Sequence, residues 1–280
     1  MQMPIFSELA IRRYIPSLSR LTYNPLFRRF VNFGDSLLSL IFPAYRWLPP
    51  NHLRIRVGVG NRLFNNQPLY LSAARNFWIL AFAKYKINLQ ACIVDLGCGC
   101  GRYAHHLRDF SAAGEEFTGE YIGVDIDEEQ LDWCRRNFDE RFRFHLSSDT
   151  STSYKASSPS SAPFLIPEPD GIADLVFSAS LFTHLLEACM ANYLRETYRL
   201  LKPGGVGYHS VFLRDAPPSS IGTRHSFQHV IGNSFVESLR QPEAAVAYHS
   251  SYLVSVAKAA GFSQVQLIAR ELQSVLVLIK

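Results

Sequence analysis

Charge is scarce in this chain: 19% of its 280 residues are charged, and the formal net charge is +4. A nucleic-acid binder ordinarily concentrates basic residues on one face and interleaves aromatics. Here the arginines are scattered. Their densest group, between Arg12 and Arg62, reads as a solvated, mildly anion-seeking surface, so no nucleic-acid partner is expected. Disorder is excluded as well, because 48% of the residues are apolar and net charge is low. The five cysteines, at 92, 98, 100, 134 and 189, make no closed disulfide framework. Cys98 and Cys100 stand too close for an ordinary zinc hook, so no metal site is expected, and an odd number of thiols fits a reducing cytoplasm. No apolar run is long enough to span a bilayer and no secretory leader is recognisable, which again points to the cytoplasm. No internal repeat is present, so one large α/β domain with extensions is the expectation.

What is there falls into two parts. Residues 1–65 read as a helical N-terminal extension or cap. Within it, Asn24 to Phe42 has the spacing of an amphipathic helix, with Phe27, Phe30, Val31, Leu37, Leu38 and Ile41 on one face and Arg28, Arg29, Asn32, Asp35, Ser36 and Ser39 on the other. Covering a core or capping a site is its plain role. Arginines beside bulky apolar residues leave a peripheral membrane or partner contact as the alternative. Residues 66–280 read as an α/β domain with insertions at 147–171 and 215–248.

In the second part, strands alternate with helices. Strands are expected at 91–96, 121–125, 141–146, 173–177, 207–213, 265–269 and 274–279. Helices are expected from Leu69 to Tyr85, from Arg102 to Phe110, after the Asp127 cap with its capping-box Gln130, from about Thr183 to Leu201, and from Ser250 to Ala260. This alternation predicts a largely parallel sheet covered on both faces, and the last two strands, joined by four residues, pair most economically antiparallel.

Chemistry concentrates in Ile93-Val94-Asp95-Leu96-Gly97-Cys98-Gly99-Cys100-Gly101-Arg102. Three glycines in a strand-to-helix turn let a ligand lie against bare backbone and tolerate positive φ, while the following helix offers unsatisfied amide donors. About 24 residues on, Asp125 ends the second strand, where a carboxylate can accept both ribose hydroxyls of an adenosine. A dinucleotide fingerprint would place its third glycine where Arg102 stands.

The run resembles motif I of the class I S-adenosylmethionine-dependent methyltransferases, D-x-G-x-G-x-G, through Asp95, Gly97, Gly99 and Gly101. Asp174 to Ser180 is similar to that family's fourth strand and substrate-side loop, and Arg199 to Gly205 to its R-x-L-K-P-G-G segment. The resemblance covers most of residues 91–280. It implies a three-layer Rossmann-like sheet of about seven strands with an antiparallel last strand, and S-adenosyl-L-methionine as cofactor. It also implies a cofactor set of Asp95, Gly97, Cys98, Gly99, Gly101, Asp125 and Ile126, with Ser148 and Asp149 at the adenine and Ala179 and Ser180 at the methionine end. N/D-P-P-Y/F, the clamp for a nucleic-acid amino group, is absent; Ser178-Ala179-Ser180-Leu181 stands there instead.

The acceptor is less constrained. A small molecule or glycan methylated at oxygen or nitrogen is the leading reading, with His184 as general base and His225 and His229 as substrate contacts. The histidines have plain alternatives: His184 can stabilise a helix start, and His209, in an alternating strand, reads as a satisfied core histidine. An inactive cofactor-binding scaffold and a nicotinamide-dependent oxidoreductase are the competing functions.

Overall fold

A computed structural model describes residues 18–57, 63–64, 66–85, 87–112, 114–148, 163–216, 225–270 and 273–280. It forms two compact units, Met1–Arg75 and Asn76–Lys280.

In the first unit the main element is helix α1, Pro25–Ile41. Asn24 caps it, its Oδ1 accepting from the amides of Leu26 (2.9 Å) and Phe27 (3.2 Å), with Pro25 at the first helical position, where a missing N–H costs nothing. A polar network holds the helix. Asp35 pairs with buried Arg54, whose Nε donates to Asn66 Oδ1 at 2.9 Å; Asn66 donates to Asn51 Oδ1 at 2.7 Å, and Asn51 donates to Val31 O at 3.2 Å. Asn32 pairs with the ring of His52. Here the sequence expectation is corrected. Asn32 and Asp35 face inward with fully buried Val31, whereas Phe30, Leu37 and Ile41 face outward. Satisfying the Arg54 guanidinium demands a carboxylate inside, and that fixes the helix's rotation.

The second unit is a sheet with helices on both faces. Its strands are β1 Cys92–Leu96, β2 Glu120–Asp125, β3 Phe142–Leu146, β4 Ala173–Ser178, β5 Leu201–Leu213, β6 His229–Ile231, β7 Ser234–Val236, β8 Val246–Tyr248, β9 Gln264–Ile268 and β10 Ser274–Ile279. The order β3-β2-β1-β4-β5 is parallel throughout. β10 adds antiparallel to residues 206–211 of β5, and β9 pairs antiparallel with β10. The seven expected strands are all present.

Three more come from the insertion at 215–248. β8 continues along the same edge of β5, with Ala247 opposite Phe212, and β7 and β6 follow antiparallel. Strands of three residues carry no readable period, so the sequence marks this segment only as an insertion. β5 also begins six residues earlier than expected: Leu201 pairs with Ala173, Lys202–Gly205 bulge out, and pairing resumes at Val206 opposite Leu175. The helix before it, α5 (Glu187–Leu200), is preceded by a separate 3₁₀ turn, Phe182–His184, rather than starting at Thr183.

Helix α2, Gln67–Tyr85, carries Trp78, which is fully buried. Its indole Nε1 donates to Tyr103 O at 3.0 Å and its ring meets Phe177 edge-on. Trp78→Ala should cost about 3–5 kcal/mol and lower the melting temperature by about 10 °C in a thermal melt followed by circular dichroism. On the opposite face of the sheet His209, fully buried, lies 3.0 Å from Ser178 Oγ and 3.3 Å from Thr197 Oγ1, and stacks on Phe182. Burial pulls its pKa down to about 3, so it is a neutral core residue, as its place in an alternating strand suggested.

Candidate active site

The glycine turn leaves the carboxyl end of β1 as the chain enters α3, Arg102–Arg108. Gly97, Gly99 and Gly101 all have left-handed backbones, with φ of 79°, 55° and 75°. The Gly97 and Cys98 amides both donate to Val124 O (2.8 and 3.1 Å), which carries the β1–β2 pairing into the turn. A side chain at Gly97 would meet Leu181 Cβ at 3.2 Å. Such alternation of left- and right-handed residues aims amides into a concave backbone surface.

Asp125 closes one side. Its Oδ2 accepts from Gly99 N at 2.8 Å and its Oδ1 from Asp127 N at 2.9 Å. A carboxylate has about four acceptor sites; with the Ile126 amide as a third donor, roughly one remains for a ribose hydroxyl. Asp127 is separately occupied as the N-cap of helix α4, Glu128–Asn137. Beneath the turn lies Asp95, buried, its Oδ2 accepting a short bond from the Tyr121 hydroxyl. Its other oxygen, also buried, has no partner among the described residues. Burial pushes Asp95 up to about 7 and Asp125 up to about 6; the charge of Asp125 raises Asp95 further, and that of Asp127 raises Asp125. The guanidinium of Arg102, itself buried, pulls Asp95 part of the way back.

Buried Asp95 and half-buried Asp125 beside a glycine turn favour a ligand that brings positive charge and hydroxyl donors. They oppose a diphosphate, whose negative charge would face both. This electrostatic preference separates the methyl-donor reading from the nicotinamide reading.

The described parts of the remaining cofactor set lie at the carboxyl ends of the same strands. Ile126 follows Asp125 and its amide also bonds that carboxyl. Cys98 is buried, its thiol 3.6 Å from Gly99 O, and burial raises its pKa well above the ordinary value, which fits turn filling and not nucleophilic chemistry. Ser148 is exposed just beyond β3; Asp149 lies outside the described residues. Ala179 and Ser180 leave β4. Ser180 is held at φ 69°, a strained conformation for a residue with a side chain, by its amide bond to Ser210 Oγ (2.6 Å) and by Gln273 Nε2, which donates to its hydroxyl (3.0 Å). Tyr121, Leu181, Ser210 and Gln273 were not singled out in the sequence. Tyr121 alone had a signal, an aromatic two residues out of register with Asp95 and so on its face of the sheet.

The histidines are distributed differently. His184 closes the 3₁₀ turn, and its Nδ1–H donates to Glu243 O at 2.8 Å. Burial lowers its pKa, the Glu243 and Ala244 carbonyls counter this, and the charge of His225 lowers it further, so His184 and His225 lie within electrostatic range. His225 packs against Phe212 and Phe227. His229 is exposed in β6. Because residues 229–231 are extended, His225 and His229 do not share a helical face. Among the described residues no group of histidine, cysteine and carboxylate could hold a metal ion.

Residues 93–205 match the family model described as methyltransferase domain. Over that span, 113 of the 280 residues, the chain is similar to methyltransferase domains. Solved structures similar to this methyltransferase include an S-adenosylmethionine-dependent methyltransferase from Aquifex aeolicus (18% identity, covering 79% of this chain and 95% of that one, TM-score 0.47). Another is the 1,6-didemethyltoxoflavin-N1-methyltransferase of Burkholderia thailandensis, solved with bound 1,6-didemethyltoxoflavin and S-adenosylhomocysteine (18%, 75% and 79%, TM-score 0.45). A third is a methyltransferase from Mesorhizobium loti (16%, 75% and 100%, TM-score 0.49). The cofactor is S-adenosyl-L-methionine, and the buried orphan oxygen of Asp95 with the bare turn at Gly97 fits it.

Asp125→Ala in this methyltransferase should weaken cofactor binding by about 1.5–3 kcal/mol, roughly 10- to 150-fold by calorimetry. The pH dependence follows from the same residue. A ribose hydroxyl donates to the charged carboxylate, so binding draws the raised pKa of Asp125 back down and releases a proton below about pH 6. Affinity should therefore fall as pH drops through 6, and this slope should vanish in Asp125→Ala.

Proposed function

We propose that this methyltransferase moves a methyl group to an oxygen or nitrogen of a small-molecule or glycan acceptor, with His184 as general base and His225 and His229 as substrate contacts. The arrangement of His184 carries the reading: a neutral imidazole at the exit of β4, beside the Ala179–Ser180 loop, with Nδ1–H committed to a carbonyl so that the ring's basic lone pair is on Nε2. When bound, S-adenosylmethionine supplies an electrophilic methyl on a sulfonium. The protein's own tasks are then to hold ribose at Asp125, to seat adenine near Ser148 and Asp149, to place the methionine end between the glycine turn and Ser180, and to accept the acceptor's proton at His184. Positioning of this kind can remove roughly 7–11 kcal/mol from a barrier, and a base adds roughly 10²–10⁴-fold.

Residues 76–280 carry 18 basic and 22 acidic side chains, which supports a neutral or polar small acceptor over a nucleic acid. Five free thiols support a cytoplasmic setting; among the described residues no helix is long and apolar enough to cross a membrane. The test is transfer of tritiated methyl from S-adenosylmethionine into fractionated cell extract. Label in the small-molecule or glycan fraction is expected. Label confined to nucleic acid would overturn the proposal, and tight cofactor binding with no label in any fraction would leave a scaffold in its place.

A further inference from the structure

The polar network that ties α1 into its unit uses one side of the helix; the other side is bare. Leu26, Phe30, Phe33, Leu37, Leu40 and Ile41 recur three and four residues apart and so make one row. Each is between 49 and 75% exposed, and Trp47 in the 3₁₀ turn that follows is 68% exposed. Only Arg29 and Ser36 interrupt the row. Soluble proteins rarely leave a contiguous apolar surface of this kind in water, and where they do it marks an interaction site.

Charge indicates what covers it. Residues 1–75 contain ten arginines, no lysine and two acids, Glu8 and Asp35. Asp35 is committed to Arg54, so among residues 18–57 no other carboxylate stands beside exposed Arg29 and Arg46. A second copy of the chain would bring the same positive surface against this one, which like-charge repulsion opposes. An acidic lipid surface meets both requirements at once: its acyl boundary takes the apolar row, and its phosphates take the guanidiniums on their long stems.

We propose that α1 and the turn after it form an in-plane docking surface for an anionic membrane. The surface is independent of the methyl-transfer site and stands whether or not the acceptor assignment holds.

Co-sedimentation of the full chain with vesicles tests this. The protein should pellet with equimolar phosphatidylcholine and phosphatidylglycerol and remain in the supernatant with phosphatidylcholine alone. Raising salt from about 0.1 to about 1 M, which shortens the screening length from about 10 to about 3 Å, should release it. Arg29→Glu should lower the partition coefficient at least roughly five-fold. Phe33→Ser with Leu40→Ser should abolish pelleting while the melting temperature and calorimetric cofactor binding stay unchanged, because these side chains are 67% and 72% exposed. Wild-type protein that stays in the supernatant with acidic vesicles at low salt would overturn the proposal. So would a dimer in sedimentation velocity that the double variant dissolves, since the row would then be an interface between copies.

Discussion

Gly97→Ala should abolish measurable cofactor binding in calorimetry, with a loss of at least about 100-fold, while the domain still folds. Two costs meet at this position. A residue with a Cβ pays about 1–2 kcal/mol in the left-handed region, where Gly97 sits at φ 79°. The added methyl also lies 3.2 Å from Leu181 Cβ, on the bare backbone of the turn proposed to line the cofactor cleft. The strain alone is measured by a control in the same unit: Gly114 has φ 87°, and a Cβ there meets nothing within 4 Å. Gly114→Ala should therefore lose no more melting temperature than Gly97→Ala and leave cofactor affinity untouched. Equal affinities for the two variants would mean that the turn at Gly97 is only a chain reversal and does not line the cleft.

The sequence made the turn and the sheet readable because their requirements are local. Glycine is the residue that takes a left-handed backbone without strain, so three of them at alternate positions announce the bend, and the strands around it are buried runs bounded by clear breaks. Asn24-Pro25 and Asp127 likewise carry their capping chemistry in adjacent residues. What escaped depends on partners distant in the chain. Periodicity could say that α1 has an apolar face; it could not say which side the unit would bury, because Arg54 decides that by drawing Asp35 inward across 19 residues. The bond from Tyr121 to Asp95 spans 26 residues and depends on the β1–β2 register. Arg199 is a similar case. Its R-x-L-K-P-G-G segment carries a family resemblance but no sign of a partner, yet its guanidinium donates to Ile166 O and Glu168 O and pins the end of the first insertion against α5.

His184→Gln should lower kcat by roughly 10²–10⁴-fold and leave the cofactor's Kd unchanged. Glutamine retains an N–H donor for Glu243 O, so the 3₁₀ turn keeps its contact with residues 242–244, but its amide cannot accept a proton at any working pH. The wild-type profile carries a second signature. Burial is the largest influence on His184 and lowers its pKa below the usual 6.5, so the neutral, basic form is already present at physiological pH. Log kcat/KM should rise with pH up to that lowered pKa and be flat above it, and the rising limb should be absent in His184→Gln. The position of the limb is itself testable through a neighbour. The charge of His225 contributes to the lowering, so His225→Gln relieves it and should move the limb to higher pH without removing it. A His184→Gln enzyme that retains both rate and limb would place the base elsewhere, or would indicate an acceptor, such as a thiolate or free amine, that needs none.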